Sequence, residues 1–113
     1  MKTRQQAALP PEQLAEVTRL ANALVRLRHA RRVTQSDAAL RAGLSLGTAK
    51  RLEKGDPGVA IGGLLRYLNA IAPGLSLERL LAGDDPSLAA LEIRERGQRV
   101  RRLTATERDE LDF

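Results

Sequence analysis

Residues 33–55 read VTQSDAALRAGLSLGTAKRLEKG and set hydrogen-bonding and cationic side chains at helical spacing around small apolar ones. Thr34-Gln35 stands at one end, Ser45 and Thr48 in the middle, and Lys50-Arg51 near the other end. Hydroxyl, amide, ammonium and guanidinium groups together are the types that hold phosphate oxygens and read base edges. They are a poor set for proton transfer, because the lone His29 lies outside the stretch, in a basic run.

The charge distribution fits that chemistry. The chain has a formal net charge of +5. From Leu24 to Gly55 eight Lys/Arg face two acids, a balance of +6 that leaves −1 for everything else. Concentrated positive charge marks a surface for a polyanion. The acids Asp84, Asp85, Glu107, Asp109, Glu110 and Asp112 lie where large apolar residues are few and no His accompanies them, so they read as structural rather than catalytic. No Gly-rich phosphate loop or nucleophile elbow appears. An enzyme, a metal site and a cofactor are not expected. Without cysteine there is no disulfide or thiolate ligand. No apolar run approaches membrane length, and MKTRQQAALPPEQL has no signal-peptide core. A soluble cytoplasmic protein is expected, with no membrane partner.

These residues need elements to position them. Leu, Ala and Arg dominate and aromatics are nearly absent, which argues for an all-α fold. Residues 1–10 read as a flexible arm. Pro10-Pro11 opens a long helix over 11–31, with Leu14, Val17, Leu20, Ala21, Leu24, Val25 and Leu27 on its apolar side. Thr34 caps a second helix over 35–42, which Gly43 ends. Ser45 caps a third over 46–54. Asp56-Pro57-Gly58 turns the chain. A fourth helix, 61–72, places Ile61, Leu64, Leu65, Leu68 and Ile71 on one side. Ser76 caps a fifth, 77–82, ended by Gly83. These five helices, residues 11–83, form one domain. Asp84 to Ser87 then opens a helix over 88–96, residues 94–102 are Arg-rich, and Thr104 to Glu107 has the spacing of a second helix start. Residues 84–113 are too poor in large apolar groups to form a core and read as a helical or mobile appendage.

Two short helices joined at a Gly turn make helix-turn-helix geometry. Ala39 and Ala42 keep the contact small, Gly43 supplies the left-handed backbone, Leu44 plugs the space beneath the turn and Leu52 ties the third helix to the core. The start of the third helix then faces outward.

Thr34-Gln35, Ala39, Ala42-Gly43-Leu44-Ser45, Thr48 and Arg51-Leu52-Glu53-x-Gly55 resemble the phage-repressor (Cro/repressor-type, Xre) helix-turn-helix family, over roughly Leu24 to Leu81. Asp56-Pro57-Gly58-Val59 followed by Ile61-Gly62-x-Leu64-Leu65 is similar to its antitoxin-like branch, whose members pair with HipA-like or HigB-like toxins. The resemblance implies a five-helix repressor-like domain that binds a palindromic double-stranded DNA operator as a homodimer. It implies phosphate contact and bracing by Gln35, and DNA contact by Ser45, Leu46, Gly47, Thr48, Lys50 and Arg51. It implies a partly buried salt bridge between Arg28 and Glu53. Arg31 and Arg32 flank the second helix, where phosphate contact and simple solvation compete; Arg41 reads as surface. Leu88, Leu91, Ile93, Leu103, Leu111 and Phe113 need a surface to cover and are expected to bind a partner, a cognate toxin in this branch. Leu77, Leu80 and Leu81, or the apolar side of 88–93, are candidates for the dimer contact. For the Arg-rich run, phosphate contact, an acidic partner and solvation remain open.

Some residues depart from the family pattern. Ala38 and Ala49 are small where a larger aliphatic is usual, and Leu40 is large at a usually exposed position, so the second helix is expected to shift or rotate to seat it. Gly47 costs helix propensity of about 1 kcal/mol relative to Ala and offers no side chain to a base. The alternatives are a repressor with no toxin, and an interaction module on the same fold that has lost DNA binding.

Overall fold

The structure, a computed structural model, describes the backbone of residues 4–111 and the side chains of residues 4–105. It is all-α over that range. After one helical turn, α1 (Gln5–Ala8), come α2 (Pro11–Ala30), α3 (Gln35–Ala42), α4 (Leu46–Glu53), α5 (Ile61–Ile71), α6 (Leu77–Ala82) and α7 (Pro86–Leu111). None is long and apolar enough to cross a membrane.

Local chemistry sets the boundaries. Pro11 starts α2 with Glu12 in its first turn. Thr34, Ser45 and Ser76 each accept a backbone N–H, from Asp37, Thr48 and Arg79, and so cap α3, α4 and α6. Helices α2 and α3 close in the same way. Arg32 and Gly43 take left-handed conformations, φ +57° and +69°. The next amides, Val33 and Leu44, bond back to the Arg28 and Ala39 carbonyls. Both following side chains pack against the core.

The core joins Leu24 and Leu27 of α2, the alanines of α3, Ala49 and Leu52 of α4, Leu64, Tyr67, Leu68 and Ile71 of α5, and Leu80 of α6. Ala38 and Ala49 are wholly buried. Both belong to the core, where α3 packs on α5 and α4.

Several expectations are corrected. Leu40 is 79% exposed. Helix α3 has not turned to seat it, because Ala38, Ala39 and Ala42 already fill the inward face. Ile61 and Leu65 are exposed; Gly63 and Tyr67 share the inward side with Leu64, Leu68 and Ile71 instead. Leu14, Val17, Leu20 and Val25 are only half-buried. The helix expected over 88–96 runs on to Leu111 without a second start. Gly97 does not break it, and the Thr104 hydroxyl bonds the Val100 carbonyl inside the helix rather than capping a new one. At about 1.5 Å per residue, its 26 residues span about 39 Å.

Candidate nucleic-acid interface

Helix α4 is fixed on one side and open on the other. Ala49, Leu52 and Glu53 turn inward. Gly47, Lys50 and Arg51 are exposed, Leu46 is 41% exposed and Thr48 is half-buried. At about 100° per residue, Thr48, Lys50 and Arg51 fall within about 160° of arc centred near Gly47 and Arg51. At the helix start Ser45 Oγ accepts the Thr48 N–H at 3.1 Å and donates to Thr48 Oγ1 at 2.9 Å, which orients both hydroxyls.

What fixes the inner side is a polar clamp. Arg28 donates to Glu53 through Nε at 2.8 Å and Nη2 at 2.9 Å, and through Nη1 to the Val33 carbonyl at 3.1 Å. The Tyr67 hydroxyl donates to the same carboxylate. The Arg28 and Glu53 side chains are 12% and 7% exposed. Burial alone would push the Glu53 carboxyl up, but Arg28, Tyr67 and Gln35 outweigh it and hold it below its usual range. The same contacts keep Arg28 charged: its bond to Glu53 raises its pKa against the effect of burial. Burial, then the neighbouring carboxylate, pushes the Tyr67 phenol well above its ordinary value, so it remains a donor. One clamp thereby ties α2, α4 and α5 together.

Around α4 the expected contact residues divide. Gln35 is half-buried at the start of α3, on the Glu53 side, where it helps hold the Glu53 carboxyl down. Arg32 is exposed beside it, on the left-handed corner. Arg31 is ion-paired within the chain. Its Nη2 lies 2.7 Å from Asp85 Oδ1 and its Nε 3.2 Å from Oδ2. That pair pins the end of α2 to the start of α7, because Asp85 also takes the Ser87 amide and hydroxyl as the N-cap of α7. Arg31, then Ser87, hold the Asp85 carboxyl down at about 2. Arg51 is half-exposed but tethered: Nε donates to Asp56 Oδ2 at 2.7 Å, and Asp56 Oδ1 accepts the Gly58 N–H at 2.8 Å. Arg51 thus presents a guanidinium held in place by the following turn rather than a loose one.

No family model, curated protein or solved structure matches the chain. The outward face of α4 is a cationic, hydrogen-bonding ridge on a short helix, backed by a buried clamp.

The expected partner-binding residues also divide. Leu88 and Leu91 are half-buried where α7 packs on α2, so the chain itself partly covers them. Arg26 to Glu95, 3.1 Å, and Arg94 Nη2 to the His29 carbonyl, 3.3 Å, strengthen that docking. Ile93 and Leu103 are exposed at 68% and 65%. The Leu111 side chain and Phe113 lie outside the described residues. Of the dimer candidates, Leu80 belongs to the core, Leu77 is half-buried against it, and Leu81 is exposed.

Tyr67, Asp56 and Asp85 were not singled out from sequence for these roles. Tyr67 carried a usable signal: a lone Tyr among leucines on an inward helix face needs a polar partner. The Asp85-Pro86-Ser87 start was legible as a cap, but its partner Arg31, 54 positions earlier, was not.

Proposed function

We propose that this protein is a sequence-specific double-stranded DNA-binding repressor of the phage-repressor type, working in the cytoplasm as a homodimer on a palindromic operator. The observation that carries the reading is the outward face of α4, where Thr48, Lys50 and Arg51 lie together while the Arg28–Glu53–Tyr67 clamp holds the inward face. In this reading α4 enters the major groove and Gly47 allows close approach of the backbone. Thr48, Lys50 and Arg51 meet base edges or nearby phosphates, and Gln35 and Arg32 hold the flanking backbone. One short helix reads few base pairs, so two copies act on half-sites about 34 Å apart. Bound there, the dimer excludes polymerase. Mobility shift on DNA upstream of its own gene tests this.

A second layer draws on α7. Exposed Ile93, Val100 and Leu103 support an autoregulating antitoxin, which represses its own operon through α3–α4 and masks a toxin with the segment after Gly83. Co-expression with the product of the adjacent reading frame tests it: co-purification and rescue of growth support the pair, and their absence leaves a repressor with no toxin.

A further inference from the structure

The side of α7 turned away from α2 carries a pattern that DNA contact would not use. Ala90, Ile93, Gly97, Val100 and Thr104 recur at alternating spacings of three and four, the seam of a heptad repeat. Ile93 and Val100 are 68% and 62% exposed, with Leu103 beside them at 65%. Arg94 and Arg101 flank the seam on one side, and Arg96 flanks it on the other. Flanking positions of this kind choose partners by charge. A parallel second copy would set Gly97 against Gly97 and leave a void; an antiparallel one would bring Arg94 near Arg101 of the other chain. Both arrangements argue against self-pairing. The small residues Ala90, Gly97 and Thr104 leave room for large apolar side chains, and the exposed Arg96 and Arg101 favour acidic neighbours.

Placement separates this seam from α4. Arg26 and Arg28 sit two positions apart on α2, about 200° around its axis. Arg26 reaches Glu95 of α7, whereas Arg28 reaches Glu53 of α4. The two helices therefore lie on different sides of α2.

We infer that the outer face of α7 is half of a coiled coil whose other half is an acidic amphipathic helix of a partner protein, occupied independently of DNA. This rests on the reading that the segment after Gly83 docks a partner. The test uses the full chain and a synthetic peptide of about four heptads, with Leu at its seam and Glu at every flanking position, followed by fluorescence anisotropy. The peptide binds, and Ile93→Ser with Val100→Ser weakens it at least about tenfold. Arg96→Glu with Arg101→Glu abolishes binding of the Glu peptide and creates binding of a Lys-flanked one, a swap that misfolding cannot produce. Equal binding of the Glu and Lys peptides by the unaltered chain overturns the inference. So does indifference to both double variants, tighter and equally variant-sensitive binding to phosphatidylglycerol vesicles, or self-association that Ile93→Ser with Val100→Ser removes. If the adjacent gene's product still co-purifies with that variant, the seam fails while the partner-binding reading stands.

Discussion

Arg28 and Glu53 are joined by two hydrogen bonds of 2.8 and 2.9 Å that fasten α4 to α2, and Tyr67 closes the same carboxylate from α5. Because both charged side chains are nearly buried, removing one strands the other. Glu53→Ala is expected to cost about 3–5 kcal/mol, and Tyr67→Phe, which leaves the ion pair intact, about 1–2 kcal/mol. Urea unfolding of the two variants measures both.

The Arg31–Asp85 pair makes stability depend on acidity. The folded Asp85 carboxyl lies at about 2, below its ordinary 3.8. A depressed carboxyl contributes stability that is complete above the ordinary value and lost as pH falls through the folded one. Asp85→Asn is therefore expected to cost about 2 kcal/mol at neutral pH, with the gap to the unaltered protein closing between 3.8 and about 2. Unfolding curves across that range check it.

Gly43 turns the chain between α3 and α4 at φ +69°, where a Cβ is strained and would lie 3.3 Å from Arg66 Nη1. Arg66 is a long side chain that can move, so the backbone sets the cost. Gly43→Ala is expected to lose about 1–2 kcal/mol, read as a lower denaturant midpoint with the slope unchanged.

Leu40 provides a contrast. It stands 79% exposed on α3. Leu40→Ser is expected to change stability by no more than about 0.5 kcal/mol. A loss of about 2 kcal/mol or more in thermal unfolding would mean that α3 does seat this side chain after all.

The sequence was most legible where the determining chemistry is local. Thr34, Ser45 and Ser76 as caps, with Gly43 and Gly83 as stops, place the ends of α3, α4 and α6 within a few residues of their causes. The Arg28–Glu53 pair was reached through family resemblance, not from spacing. Contacts distant in sequence were not legible: nothing near Arg31 announces Asp85, and Ile61 and Leu65 share the period of their buried neighbours. Helix α7 was expected to end at Arg96, because Thr104 to Glu107 has the spacing of a second helix start and Gly97 lowers helix propensity. In the structure the strong helix formers around them outweigh both, and its first half is anchored on α2.

The most direct test of the central claim is the salt dependence of binding to DNA from upstream of the gene, measured for the unaltered protein and for Lys50→Glu. If a dimer neutralises about six to ten phosphates, log affinity falls against log salt with a slope of about −5 to −9. Lys50→Glu, at an exposed position on the outward side of α4, is expected to weaken binding at least about tenfold while leaving the thermal unfolding midpoint in place. Binding that ignores salt, or that survives Lys50→Glu undiminished, would contradict the account.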